Sequence, residues 1–264
     1  MTLIRNETKR KLQAGELALG FGVHHLRTSA VGMLAASCGH DWVFIDMEHG
    51  AFSMQEATQI CLASLTTGVT PIVRVAADAL DEGARALDNG AMGIVVPHVD
   101  TRAQAERIAR AYRYPPSGTR SWGGPPAAFR FQPPDHAEAQ TQLNDEVLVI
   151  AMIESREAVA NVDAIAAVAG IDVLLIGTSD LSADLGIAGQ IGHADVQAAY
   201  AAVAGTCRKH GKALGMGGVY DREWASRYIK DHGARFVLTG SDHNYIVAGA
   251  TQRSELLRSI VPGK

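Results

Sequence analysis

Apolar positions along this chain come in blocks rather than singly. Eight short runs rich in Val, Ile, Leu and Gly lie near Ala18–His25, Trp42–Met47, Thr70–Val75, Gly93–Val99, Val147–Ile153, Val173–Gly177, Ala213–Gly218 and Phe236–Ser241. A continuous apolar run of this kind is the pattern of a strand covered on both faces of its sheet. Between the runs lie stretches with helical spacing, at about 28–39, 53–66, 78–89, 101–111, 157–169, 194–210, 221–232 and 243–259. In one of them Val159, Val162, Ile165 and Val168 recur every third residue and give a single apolar stripe. Ser53 with Glu56 three residues on predicts a capping box, and Asp221 predicts an N-cap. Gly90, Gly170, Gly211 and Gly233 each follow a helical stretch, where a left-handed residue ends the helix.

Strand alternating with helix implies parallel strands joined by right-handed crossovers. Eight such units predict an α/β protein closed into a (β/α)8 TIM barrel, with a doubly wound open sheet as the alternative. The length of 264 residues suits one barrel, so 1–264 is read as a single domain. The pattern lapses once, from Tyr112 to about Asp145, in a stretch that contains Pro115-Pro116 and Trp122-Gly-Gly-Pro-Pro126. A long irregular stretch inside a compact domain is either functional or a surface excursion.

Composition narrows the function classes. A 47% hydrophobic chain with 20% charged residues and 27 glycines can fill a large core and make many tight turns. A net charge of −4 argues against a nucleic-acid partner. Cys38, Cys61 and Cys207 are far apart and odd in number, so neither a disulfide framework nor a cysteine metal pair is expected. The first residues lack the apolar core of a signal peptide, and no run is long enough for a bilayer. A cytoplasmic protein without a membrane partner is expected.

Reactive groups of a barrel gather where its strands end. The second run ends in Asp46-Met-Glu-His49, the third reaches Arg74, the fourth Pro97-His98, the fifth Glu154, and the sixth leads to Ser179-Asp180. Two acids from neighbouring strands, Glu154 and Asp180, can grip a hard divalent cation such as Mg²⁺ or Mn²⁺, which prefers oxygen and keeps waters for a substrate to displace. Any one of these residues has a plainer reading as a loop hydrogen bonder, a salt-bridge partner or a helix cap. Their agreement across strand ends favours a site. None of Lys9, Lys11, Lys209, Lys212, Lys230 or Lys264 falls at such an end, which disfavours a Schiff base. No Gly-x-Gly-x-x-Gly follows a strand, so a dinucleotide has no visible seat.

Taken together, Asp46-Met-Glu-His-Gly50, Val73-Arg74, Asn89-Gly-Ala-Met-Gly93 with Pro97, Tyr114-Pro-Pro-Ser-Gly-Thr-Arg120, Ile153-Glu-Ser-Arg156 and Ile176-Gly-Thr-Ser-Asp-Leu-Ser-Ala-Asp-Leu-Gly186 resemble the HpcH/HpaI family of class II pyruvate and 2-oxo-acid aldolases. The resemblance covers nearly the whole chain. It implies a carbon–carbon lyase on a modified TIM barrel, joining the enolate of a pyruvate-like donor to an aldehyde to give a 4-hydroxy-2-oxo acid. By motif position, Glu154 and Asp180 would hold Mg²⁺, Mn²⁺ or Co²⁺, Arg74 would lie beside the keto oxygen, and His49 would be the acid/base. Asp88 would pair with His49, and the backbone at Ser179 and Asp180 would receive the substrate carboxylate.

These roles suit the chemistry. Charge that develops on a keto oxygen needs a Lewis acid or fixed donors, and imidazole exchanges a proton near neutral pH. Met152 stands where relatives often carry a substrate-touching Gln, and Met47 where a Gly is common. Ser179 replaces a frequent small apolar residue and admits a hydroxylated donor such as hydroxypyruvate. The resemblance also implies a hexamer, a trimer of dimers, with the last helix exchanged between subunits and the excursion from Trp122 to Phe131 reaching a neighbour. Two other readings stand beside it: a lyase of CoA thioesters, which needs a basic groove not visible near the motifs, and a barrel that binds 2-oxo acids without turnover.

Overall fold

In the computed structural model, which describes residues 3–260, eight strands close into a barrel in sequence order, each parallel to the next, with β8 paired back to β1. They are β1 (Ala18–Val23), β2 (Trp42–Asp46), β3 (Thr70–Arg74), β4 (Gly93–Val96), β5 (Leu148–Ile153), β6 (Val173–Gly177), β7 (Ala213–Gly217) and β8 (Ala234–Ser241). The barrel expected from the alternation is therefore present and the open sheet is excluded. The helices are α1 (Glu7–Gln13), α2 (Val31–Ser37), α3 (Met54–Ser64), α4 (Leu80–Asp88), α5 (Arg102–Ala111), α6 (His136–Glu146), α7 (Arg156–Ala160), α8 (Val162–Ala166), α9 (Thr178–Asp184), α10 (Ala194–His210), α11 (Arg222–Lys230) and α12 (Asp242–Ile260). No described helix is long and apolar enough to cross a membrane.

The barrel interior is packed, not hollow. Trp42, Phe44, Ile72, Val95, Leu148, Ile150, Met152, Leu175 and Phe236 fill it, with Trp42 stacked on Phe236 at 3.9 Å between ring centroids. Gly20 makes room for that indole: a Cβ there would sit 2.3 Å from two Trp42 ring atoms. A second apolar layer joins the outer faces of the strands to the helices.

Three helices escape the apolar periodicity. Helix α1 lies across the amino-terminal end of the barrel, capped by Asn6, whose amide donates to the carbonyls of Met92 and Glu146. Helix α6 falls inside the irregular stretch, capped by Asp135, and buries only Ala139, Leu143 and Glu146, too sparse a stripe to register as helical. Helix α9 starts straight from β6, so Ser179 and Asp180 belong to its first turn rather than to a strand. The helix expected over 157–169 breaks at Asn161 into α7 and α8. The capping box of Ser53 and Glu56 and the cap at Asp221 are formed.

Candidate active site at the carboxyl end of the barrel

Asp46 and Arg74 are register partners at the ends of β2 and β3. Arg74 donates from Nε and Nη2 to the two oxygens of Asp46, at 2.9 and 2.6 Å. Asp46 is wholly buried. It also accepts the backbone N–H groups of Glu48 and His49, at 3.1 and 3.2 Å, and lies 3.2 Å from Nδ1 of His24. Burial alone would raise this carboxyl, but the Arg74 guanidinium and the His49 N–H bring it below the usual carboxylate range. Burial lowers the pKa of His24, favouring neutral imidazole. Asp46 thus fixes both the guanidinium of Arg74 and the turn that carries His49.

The second sheltered acid of that turn is Glu48. Its Oε2 lies 3.1 Å from Arg74 Nη1 and 3.8 Å from His49 Nε2, and its Oε1 lies 3.7 Å from His98 Nε2. The His49 ring is 64% exposed, so it stands open to a substrate rather than held in packing. Met152 lies beneath the site, with its sulfur 4.0 Å from Arg74 Nη1.

On the other side of the opening, Glu154 follows β5 and is only 3% exposed. Its Oε1 accepts the backbone N–H of His98 at 2.7 Å. Burial pushes this carboxyl above its ordinary value, and the negative charges of Asp180 and Glu48 act in the same direction. Gly177 lets it lie there, since a Cβ at that position would be 2.6 Å from Glu154 Oε2. Asp180 and Ser179 are exposed at the start of α9, and Gly218, in a left-handed turn with φ of 78°, lies close to Ser179.

Arg74, Glu154 and Asp180 thus share one charged neighbourhood, and His49 joins it through Glu48. Asp88 does not pair with His49 in its own chain. Helix α4 runs back from the carboxyl end of β3, so its last residue, Asp88, lies at the amino-terminal end of the barrel. There it accepts a hydrogen bond from Arg120 Nη2 at 2.7 Å, and Gly123 packs against it. Two residues missed as site members are Asp46 and Glu48; the Asp-x-Glu-His motif contained both. Lys9 and Lys212 are only partly buried, and they bond the carbonyls of Val147 and Ile171 near the starts of strands, far from this chemistry. Cys61 and Cys207 are buried, which pushes both thiols up to about 12 and leaves them inert.

Among the described residues, no three His, Cys, Asp or Glu side chains form a ready-made metal cage. The donor set still fits a hard cation: two carboxylates, Glu154 and Asp180, with Glu48 adding a third negative charge nearby, a crowding that a bound cation would relieve.

The HpcH/HpaI aldolase/citrate lyase family matches residues 27–248. The chain is 37% identical to a 4-hydroxy-4-methyl-2-oxoglutarate aldolase of Hapsidospora irregularis, over 98% of this chain and 97% of that one. It is 34% identical to a hydroxypyruvate/pyruvate aldolase of Sagittula stellata, over 96% and 98%. The crystal structure of an HpcH/HpaI aldolase from Desulfitobacterium hafniense superposes with a TM-score of 0.87 at 31% identity, over 97% of both chains. This chain therefore belongs to the HpcH/HpaI aldolase/citrate lyase family and is a carbon–carbon lyase.

Proposed function

We propose that the protein is a divalent-metal-dependent class II aldolase that reversibly joins the enolate of pyruvate or hydroxypyruvate to an aldehyde, giving a 4-hydroxy-2-oxo acid. The observation that carries this reading is a buried guanidinium, Arg74, aimed by Asp46 and Glu48 into an opening that also receives Glu154 and Asp180. Glu154 and Asp180 would hold Mg²⁺, Mn²⁺ or Co²⁺, which when bound supplies Lewis acidity toward a keto oxygen.

The remaining work belongs to the chain's own side chains. Arg74 presents Nη1 from a buried, pre-oriented position, so it stabilises negative charge on the keto oxygen without first being ordered. His49 stands exposed on a turn pinned by Asp46 and moves the proton at donor C3 or at the nascent hydroxyl. The N–H groups of Ser179 and Asp180, at the start of α9, receive the donor carboxylate, and the Ser179 hydroxyl admits a C3 hydroxyl. Met152 closes the floor beneath the donor. Asp88 can assist His49 only from another copy of the chain, because its own helix carries it to the opposite end of the barrel.

An assembly of several copies belongs to this reading. Along α12 every residue from Ile246 to Ile260 is exposed, including Ile246, Val247, Leu256, Leu257 and Ile260. A hexamer of exchanged last helices would cover that face. The excursion itself folds onto its own chain: Phe129 and Ala128 are buried with Leu3, Tyr114 and Leu143, while Phe131 is left 64% exposed for a neighbour.

The test is deuterium exchange at C3 of pyruvate and hydroxypyruvate, followed by NMR with Mg²⁺ or Mn²⁺ and with EDTA. Metal-dependent exchange, greatly slowed in Glu154→Ala and His49→Ala, is the expected result. Failure of both donors to exchange would overturn the aldolase reading in favour of a thioester lyase or a binding barrel.

A further inference from the structure

We propose that His98 is a positioning residue that decides which oxygen of Glu154 a bound divalent cation meets. The inference rests on the reading that Glu154 and Asp180 hold that cation. His98 directly follows Pro97 in the turn after β4, and its φ is 53°. A left-handed backbone is strained for a residue with a side chain, and such strain persists where surrounding contacts impose it. Here the contacts are explicit. The backbone N–H of His98 donates to Glu154 Oε1 at 2.7 Å, and ring Nδ1 of the same residue lies 3.2 Å from that same oxygen. The left-handed turn brings both of these nitrogens onto one carboxylate atom.

The other oxygen has a different environment. Oε2 lies over the bare backbone of Gly177, within 2.6 Å of where a Cβ would stand, at the end of β6 and three residues before Asp180. Oε1 is therefore engaged by His98, while Oε2 is left on the side from which Asp180 rises. A cation between these two strand ends would be offered one oxygen of Glu154, because the contacts of His98 hold the other. The ring also reaches back to the other half of the site: Nε2 is 3.7 Å from Glu48 Oε1, and Glu48 Oε2 is 3.1 Å from Arg74 Nη1. One imidazole thus couples the orientation of the cation's carboxylate to that of the guanidinium.

Orienting groups behind a metal ligand are typically worth about 10- to 100-fold in metal affinity. The experiment is Mn²⁺ binding to the full chain, by calorimetry and by the electron paramagnetic resonance of the bound ion, for wild type, His98→Gly, His98→Asn and Glu154→Gln. Glycine accepts the left-handed backbone and keeps the N–H, so His98→Gly removes the ring without demanding refolding. It should weaken Mn²⁺ about tenfold or more and alter the spectrum of the bound ion. Asparagine tolerates the same backbone and carries a donor, so His98→Asn should recover most of the affinity. Wild-type affinity in His98→Gly, within twofold, would overturn the inference while leaving the cation reading intact. Unchanged binding in Glu154→Gln, or no binding by wild type, would overturn both.

Discussion

Asp46 and Arg74 stand opposite one another in the β2–β3 ladder, and their side chains close a two-bond fork of 2.9 and 2.6 Å inside the barrel mouth. A planar guanidinium fits this geometry and an ammonium does not. Arg74→Lys should therefore keep the charge but lose its direction, lowering kcat/KM by roughly 10²- to 10³-fold, the scale of one lost oxyanion donor. Steady-state kinetics with pyruvate and an aldehyde would measure it. Asp46→Ala leaves the guanidinium buried without its partner and should also destabilise the fold by about 3–5 kcal/mol in urea unfolding. Equal activity in the lysine variant would show that Arg74 acts only as a distant charge.

Much of this arrangement is legible in the sequence. Buried parallel strands must be apolar on both faces, so their runs stand out at Trp42–Met47, where β2 ends one residue earlier, and at Val173–Gly177, which β6 matches at both ends. Helices α1 and α6 were not legible, because each is held by polar contacts rather than an apolar stripe: Asn6 on the Met92 and Glu146 carbonyls, and Glu146 on the first helix. Near the proposed site, the placement of Arg74 and Glu154 at strand ends could be read from the apolar runs alone. Asp46 could not, because its importance lies in being buried beneath Arg74, a fact of register. The expected partnership of Asp88 with His49 failed within the chain for a directional reason: a crossover helix always ends opposite the strand end that precedes it.

Gly177 offers a test of packing against chemistry. It lines β6 where Glu154 Oε2 and the Met152 methyl press closest, at 2.6 and 3.0 Å from the position of a Cβ. Gly177→Ala must push Glu154 aside, because the backbone of a central barrel strand yields little. The expected outcome is a fold retained by circular dichroism, with C3 exchange reduced about tenfold, as for a disturbed orienting contact. Unchanged exchange would mean that Glu154 is free to move without loss.

Glu146 links α6 to the amino-terminal segment and sets a pH limit on stability. It is nearly buried, and burial alone would raise its carboxyl. Hydrogen bonds from Arg10, the Asn6 N–H and Arg5 outweigh that and bring it down to about 2, from an ordinary 4.5. A pKa depressed on folding adds stability above the unfolded value, and that stability fades as pH falls from about 4.5 towards 2. Glu146→Gln should be less stable than wild type at pH 7 by roughly 2–3 kcal/mol, with the gap closing as the pH is lowered through that window. Urea midpoints measured between neutral pH and pH 3 would show the convergence. A constant gap would assign the loss to packing instead of charge.

Helix α12 presents the sharpest test of assembly. It leaves the barrel after Asp242, whose buried carboxylate accepts the N–H groups of His24, His25 and Leu26 and so anchors the helix start to the β1 turn. Tyr245 packs on Phe21, and beyond it every described residue of the helix is exposed. Leu256 and Leu257 are 53% and 57% exposed, and Ile260 is 69% exposed. Most helical stability in proteins comes from a packed apolar face, which the exposed part of α12 lacks within its own chain. The helix should therefore be covered by other copies, and light scattering should report an oligomer, with a hexamer as the specific expectation. Leu256→Glu combined with Leu257→Glu places two charges in that contact and should shift the protein to smaller species. Loss of activity together with assembly would fit a site completed by neighbours, the arrangement in which Asp88 of another copy could reach His49. A wild-type chain that is monomeric and fully active would reject both the hexamer and any role for Asp88 in catalysis.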